Sequence, residues 1–143
     1  DIVADANTMV TNANAHGYGR ALGQYYWGAN GTVMRQCEHL DVANRISPNA
    51  AFLDCAVQQI SWTFGRNYFN RSQVTGVGID PPMQPHDRQS SADGVDPPKP
   101  GHLVGGGHPN ATSWTETIPA VDNYAMNEIA MPSWSAISFA PFL

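Results

Sequence analysis

The stretch from Arg66 to Asn127 constrains the fold more than any other part of the chain. It holds eight of the eleven prolines and seven of the thirteen glycines, and it shows no helical periodicity. Proline fixes φ and removes a backbone donor, whereas glycine permits turns that other residues resist. A long irregular segment in a compact domain usually carries a functional surface. We therefore predict one long irregular loop region that holds the candidate site.

Two helices are predicted ahead of this loop region, over residues 32–46 and 50–64. Thr32 is the expected N-cap of the first helix, and Ser47-Pro48-Asn49 ends it and caps the second. Gly65 is the expected C′ residue of the second helix. The predicted core residues of the first helix are Val33, Cys37, Leu40 and Ala43, and those of the second are Leu53, Ala56, Val57, Ile60 and Phe64. We expect the pair to pack as an antiparallel helical hairpin.

The two ends of the chain are less regular in sequence. Asparagines and glycines between residues 7 and 19 favour a loop, followed by a short helix over Arg20–Tyr26 with Ala21, Leu22 and Tyr25 facing inward. A last helix is expected over Asn127–Phe139. The predicted fold class is therefore all-α.

Composition excludes several classes of function. The formal net charge is −5 and only 13% of residues are charged, which gives no basic surface for nucleic acid. No apolar run reaches the roughly 18 residues of a membrane span, so no membrane partner is expected. Cys37 and Cys55 favour two buried free thiols over a disulfide, and their spacing suggests no zinc. The triple of Asp93, His102 and His108 fits no standard metal site either, so no metal is predicted.

The segment Ser72–Arg88 is the most informative part of the loop region. Its glycines and prolines predict an extended, stiff backbone that delivers His86 and Arg88 two residues apart. In extended chain these side chains would share one face, where an imidazole and a guanidinium can clamp hydroxyls or a carboxylate. A rigid surface loop with a solvated histidine and arginine explains the same residues equally well.

The order of several motifs resembles the family 9 glycoside hydrolases, which are mostly cellulases. The first family signature is matched by Ser72, Val74, Thr75, Gly78, Pro85, His86 and Arg88, while Asp80 departs from it. The second signature is matched by Tyr124 and Glu128. Segments 25–28 and 64–68 are also similar to the family, so the resemblance covers nearly the whole chain. It implies that residues 1–143 are the C-terminal third of a catalytic domain, a partial (α/α)6 toroid whose partner is the remaining N-terminal part of the barrel.

The resemblance also assigns roles to individual residues. It implies that Glu128 is the general acid, that His86 and Arg88 bind sugar hydroxyls beside the scissile bond, and that Trp27 stacks on a pyranose face. Tyr124 is a further substrate-binding candidate, although its ring also suits a structural role. Local sequence alone favours Glu128 as a first-turn acid that stabilises its helix, and the family resemblance reverses this interpretation. Trp27 could equally be a core residue.

The second carboxyl of the reaction has no match. Glycosidic hydrolysis commonly needs two carboxyl groups, and the resembled family places its base in an Asp-Ala-Gly-Asp segment that this sequence lacks. The aspartate of the second signature has no clean match either, and Glu116 is the nearest acid. We therefore expect the 143-residue chain alone to be inactive. No cofactor is implied, and the segment does not indicate a structural calcium.

Taken together, these residues predict part of a secreted, extracellular glycoside hydrolase. The expected reaction is inverting hydrolysis of internal β-1,4-glucosidic bonds in cellulose or related β-glucans, and the expected partner is a cellulose or β-glucan oligosaccharide. Two alternatives remain open. One is a non-catalytic carbohydrate-binding remnant that uses Trp27, His86 and Arg88, and the other is a structural fragment that leaves apolar helix faces uncovered.

Overall fold

The computed structural model describes residues 1–26, 28–106, 113, 114 and 116, and this part of the chain is helical. Its helices are α1 (Ile2–Ala15), α2 (Ala29–Ile46), α3 (Ala50–Thr63) and the short α4 (Arg88–Ala92). These described residues contain no strand, and Val74 and Leu103 form one isolated antiparallel bridge. The all-α prediction is confirmed. The helix expected over Asn127–Phe139 lies outside the described residues.

Helix α1 occupies a segment for which the sequence favoured a loop, so that expectation was wrong. The Asp1 carboxylate caps the helix by accepting from the Val3 N–H at 3.0 Å. The asparagine side chains that suggested a loop are compatible with a helix, since Asn7 Nδ2 donates back to the Val3 carbonyl at 3.0 Å. Ala6 and Ala13 are buried against the other helices, which supplies the stability that propensity lacks.

The connection from α1 to α2 is irregular rather than helical over Arg20–Tyr26. A buried glutamine of α3 holds this connection: Gln59 Oε1 accepts from the Ala21 N–H at 2.9 Å, and Gln59 Nε2 donates to the Gly19 carbonyl at 2.8 Å. These bonds take the place of a helical turn. Ala21 is nevertheless buried as predicted, and Tyr25 packs against the core.

Helix α2 begins three residues before the predicted cap. Gly28 is its N-cap with a left-handed φ of 76°, which favours glycine. The Thr32 hydroxyl, predicted to cap, instead accepts from the Tyr26 hydroxyl at 2.8 Å. The predicted core residues of this helix are confirmed, because all four are buried: Val33, Cys37, Leu40 and Ala43.

Helix α3 has the predicted ends but a rotated core face. The Asn49 side chain caps it by accepting from the Ala51 N–H at 3.0 Å, and Gly65 follows with a positive φ of 137°. Val57, predicted to be buried, is 52% exposed. Ala56 is buried as predicted, and Ile60 and Phe64 pack against the core. The buried face also includes Phe52, Cys55, Gln59 and Trp62, which the predicted stripe left out.

The two cysteines are free and buried, as the sequence predicted. Burial raises the pKa of the Cys37 thiol to about 12 and that of Cys55 to about 11. Both are therefore protonated at neutral pH and act as small apolar side chains.

Helices α1, α2 and α3 pack against one another around these buried residues. Gln59, near the end of α3, donates to the Gly19 carbonyl in the chain that follows α1. Asn30, at the start of α2, donates its backbone N–H to the Gly105 carbonyl at 3.1 Å. The end of α1, the start of α2 and the end of α3 therefore meet at one end of the helices, here called the loop end. No helix within the described residues is long and apolar enough to cross a membrane.

Candidate functional site

The segment Ser72–Arg88 is folded back on itself, so the predicted extended ribbon is wrong. The Ser72 N–H donates to the Ile79 carbonyl at 2.7 Å and closes a compact loop. Gly76 and Gly78 have φ values of 66° and 82°, and Asp80 has a φ of 45°. These left-handed residues reverse the chain direction, which the glycine positions allowed but did not specify.

The base of this loop is joined to the segment around residue 102. Thr75 donates its backbone N–H to the His102 carbonyl at 2.9 Å and its hydroxyl to the Lys99 carbonyl at 2.6 Å. The same hydroxyl accepts from the His102 N–H at 2.9 Å. Val104 donates its N–H to the Gln73 carbonyl at 3.0 Å. Thr75, a hydroxyl residue of the first signature, thus connects two parts of the loop region.

Asn30 connects the loop region to the start of α2. Its side-chain nitrogen donates to the Val104 carbonyl at 2.7 Å and to the side-chain oxygen of Gln73. Gly106 covers this amide closely, since a Cβ there would lie 2.8 Å from Asn30 Oδ1. All of these contacts are buried, so the loop region is fixed to the helices by polar side chains.

Glu116 holds the backbone just before His86. Its Oε2 accepts from the N–H groups of Met83 at 2.8 Å and Gln84 at 2.6 Å, and its Oε1 accepts from Trp114 Nε1 at 2.8 Å. Arg71 Nη2 lies 3.6 Å from Oε1, and the Glu116 side chain is only 11% exposed. We call Arg71, Trp114 and Glu116 the loop clamp.

Arg71 holds the other part of the same backbone segment. Its Nε donates to the Asp80 carbonyl at 2.8 Å and its Nη2 to the Pro81 carbonyl at 3.3 Å. The guanidinium carbon lies 4.9 Å from the centre of the Trp114 ring, whose edge meets Phe69 with ring centres 5.3 Å apart. The loop clamp therefore fixes residues 80–84. Sequence reasoning noted Glu116 only as the nearest acid to a signature position, and it missed Arg71 and Trp114.

His86 and Arg88 follow this fixed segment, and both side chains are exposed. Between them, Asp87 is the N-cap of α4: its Oδ2 accepts from the Ser90 N–H at 3.0 Å and the Ser90 hydroxyl at 2.8 Å. These two bonds from Ser90 hold the pKa of the Asp87 carboxyl below its usual value. Arg88 is the first residue of α4, so the alternation rule for extended chain no longer supports a shared face with His86.

The remaining predicted site residues, Trp27, Tyr124 and Glu128, lie outside the described residues. Trp27 precedes Gly28, the N-cap of α2. Within residues 1–26, 28–106, 113, 114 and 116, no group of three or more His, Cys, Asp or Glu side chains could hold a metal ion. Asp93, a member of the triple considered for metal binding, accepts from the Val95 N–H at 2.9 Å in a local turn.

Comparison with solved structures defines the class of protein first. A metagenome-derived glycoside hydrolase family 9 endoglucanase matches with a TM-score of 0.79 and 29% identity, over 96% of this chain and 27% of that one. An endoglucanase from Alicyclobacillus acidocaldarius matches the fold with a TM-score of 0.78 at 24% identity, over 96% of this chain and 28% of that one. The described helices are thus part of an (α/α)6 toroid of a glycoside hydrolase.

Sequence comparison then identifies the family. The profile of Glycosyl hydrolase family 9 matches residues 2–140, and the chain belongs to this family. Endoglucanase D of Acetivibrio thermocellus is 53% identical over 94% of this chain and 21% of its own length. A xyloglucan-specific endo-beta-1,4-glucanase of Bacteroides ovatus is 31% identical over 83% of this chain and 22% of its own length. The chain therefore spans about a fifth of these curated relatives.

Proposed function

We propose that this chain contributes the general acid and part of the substrate cleft to an enzyme that hydrolyses internal β-1,4-glucosidic bonds in cellulose or related β-glucans. The family match over residues 2–140 carries the proposal. The names of its relatives support it: they include endoglucanase D, a xyloglucan-specific endo-beta-1,4-glucanase and a cellulose 1,4-beta-cellobiosidase. Among these substrates, we propose the unbranched β-glucans because endoglucanase D has the higher identity.

In this proposal His86 and Arg88 bind sugar hydroxyls beside the scissile bond. Both side chains are exposed and follow residues 80–84, which the loop clamp holds, and Asp87 between them caps α4. Fixed backbone lowers the entropy that a binding side chain loses when it meets its ligand. Trp27, next to the N-cap of α2, would stack on a pyranose face, and Tyr124 is a further substrate contact.

Glu128 would protonate the leaving glycosidic oxygen. An inverting reaction also needs a carboxylate base about 6.5–9.5 Å away that activates a water on the opposite face of the sugar. No acid of this sequence matches the base motif, so the base would come from the N-terminal part of the barrel. The isolated chain is then expected to bind substrate without cleaving it. A non-catalytic carbohydrate-binding remnant would behave in the same way.

Secretion belongs to the same proposal. The expected substrates are insoluble or very large polymers, and an enzyme reaches them only outside the cell.

A chimera tests the catalytic role. This chain replaces the matching segment of endoglucanase D, and cleavage of carboxymethyl cellulose is measured. We expect activity, and we expect Glu128→Gln to reduce kcat by about 100-fold or more, in the range of general acid catalysis. The control is Asp54→Asn, an acid-to-amide change at an exposed position of α3, which should leave activity unchanged.

Full activity in the Glu128→Gln chimera would refute the assignment of the acid. Cleavage of carboxymethyl cellulose by the purified 143-residue chain would refute the separate expectation that the base lies elsewhere.

A further inference from the structure

A cavity of about 160 Å³ lies at the loop end, and its lining includes neither His86 nor Arg88. It is formed by the chain after α1, the end of α3 and the turn that follows α3. Its lining residues are His16, Tyr18, Arg20, Tyr25, Trp62, Asn67, Tyr68 and Phe69. Among the described residues, no acidic side chain lines this cavity.

The walls of the cavity are aromatic. Trp62 is 2% exposed and packs against Tyr25 with ring centres 5.6 Å apart. Tyr18 and Tyr68 form the rim and are 39% and 61% exposed, so solvent reaches the cavity between them. A cavity of about 150 Å³ is known to hold one six-membered ring, and larger ligands need roughly 300–1,000 Å³. The cavity therefore has room for a single ring.

A buried cation forms the polar part of this cavity. Arg20 is 6% exposed, and its guanidinium carbon lies 4.6 Å from the centre of the Tyr25 ring and 5.5 Å from that of Trp62. Its Nε donates to the Leu22 carbonyl at 2.8 Å. Within the described part of the chain, neither terminal nitrogen of Arg20 donates a hydrogen bond, and the ion pairs involve other residues.

Two neutral groups complete the lining. His16 Nδ1 accepts from the N–H groups of Tyr18 at 3.2 Å and Arg20 at 3.4 Å, so the ring proton lies on Nε2 and can be donated. Burial, and then the charge of Arg20, hold the pKa of His16 below its usual value, which favours this neutral form. Asn67 donates to the Trp62 carbonyl at 2.7 Å and to the Arg71 carbonyl at 2.9 Å, so its amide nitrogen is used by the fold.

We propose that this cavity binds a six-membered sugar ring that carries a carboxylate, that is, a hexuronic acid unit, with Arg20 as the carboxylate receptor. A buried charge is stable only when it is paired, and a guanidinium offers two parallel donors that match a carboxylate. The aromatic walls suit the apolar CH face of a pyranose. The inference concerns binding at a site apart from His86 and Arg88, and it does not depend on the proposed hydrolysis.

Titration of the full chain with two matched sugars tests the inference. Methyl β-D-glucuronide and methyl β-D-glucoside differ only in carboxylate against hydroxymethyl at the same ring carbon. Dissociation constants are measured by NMR, following the indole N–H of Trp62. We expect the glucuronide to bind at least about tenfold more tightly, because its carboxylate meets a charged donor.

Variants locate the binding. Arg20→Lys keeps the positive charge but loses the two parallel donors, and we expect glucuronide binding to weaken about tenfold. Tyr68→Ala removes an exposed wall without disturbing the core and should weaken both sugars. The matched control is Tyr26→Ala, which removes a tyrosine that is 44% exposed and lies outside the cavity, and it should change neither constant.

Equal binding of the two sugars would overturn the inference, as would the absence of glucuronide binding. Binding that persists unchanged in both Arg20→Lys and Tyr68→Ala would also overturn it, because the ligand would then occupy another place. If Arg20→Lys fails to fold, Tyr68→Ala and its control decide the question alone.

Discussion

The three long helices and the loop region after them are held together by different forces. Helices α1–α3 bury apolar side chains such as Leu40, Phe52 and Trp62. The described loop region buries few apolar residues and depends on polar contacts made by Asn30, Gln73, Thr75 and the loop clamp. Hydrophobic contact is non-directional, whereas each hydrogen bond needs its own partner in one geometry. The helices should therefore tolerate substitutions that conserve volume, and the loop region should not.

The largest effect is expected from emptying the helical core. Phe52 is 1% exposed, and Phe52→Ala should lower the free energy of unfolding by about 3–5 kcal/mol, through lost burial and the cavity that remains. Urea unfolding followed by circular dichroism measures this change. Val57→Ala, at a position of the same helix that is 52% exposed, should cost less than about 0.5 kcal/mol. Equal costs at the two positions would contradict the rotated core face.

The loop clamp should give a smaller and more local effect. Glu116→Ala removes the acceptor of the Met83 and Gln84 N–H groups and the carboxylate beside Arg71, which should cost about 2–3 kcal/mol. Amide hydrogen exchange should show lost protection at residues 83 and 84, with little change in α2. Glu116→Gln keeps the shape and one oxygen, so it should retain part of the protection. Unchanged exchange in Glu116→Ala would show that the clamp does not hold this segment.

Substitutions at two glycines of the loop region can distinguish the cost of backbone strain from the cost of steric crowding. Gly76 and Gly94 have similar φ values of 66° and 70°. A Cβ at Gly76 would lie 2.6 Å from Pro100 Cβ, whereas one at Gly94 meets nothing within 4 Å. Gly94→Ala should cost about 1 kcal/mol in unfolding free energy, and Gly76→Ala about 2 kcal/mol. Thermal melts of the two variants measure the difference, and identical melting temperatures would contradict the close approach.

The smallest effect concerns the cap of α4. The pKa of Asp87 is lowered in the fold, so its contribution to stability is present above the unfolded pKa of about 3.9 and is lost as the pH falls through the folded value. The protection factor of the Ser90 amide, corrected for the intrinsic pH dependence of exchange, should therefore fall in acid solution. Asp87→Ala should remove this pH dependence and cost about 0.5–1 kcal/mol at neutral pH. Asp87→Asn should preserve the cap but also lose the pH dependence.

Sequence predicted the two regions with unequal success. Helix α2 and its buried residues follow from apolar spacing, and Asn49 follows from local capping rules. Helix α1 was missed because its stability comes from burial of two small alanines against other helices, which propensity does not report. The core face of α3 was only partly predicted, since Ala56 is buried but Val57 is exposed. Gln59 was missed because its partners are distant backbone groups, which no local pattern indicates.

The sequence of the loop region was enough to recognise its family signatures, but not to predict its backbone conformation. Its signature residues matched the family in order, yet their contacts differ from the predicted ribbon. The pairing of Arg71 with Glu116 and the left-handed turns at Gly76 and Gly78 depend on long-range contacts with no periodic signal. Within the described residues of the loop region, prolines correctly excluded a long helix, but they did not determine where the chain turns back.

The position of Asp87 has a practical consequence for engineering. Since this carboxylate caps α4 while its neighbours are exposed, a structural residue lies between the two proposed sugar-binding positions. A library that varies Arg88 and leaves Asp87 alone would keep this cap. Under the proposed function, it would test whether the first position of α4 influences sugar preference.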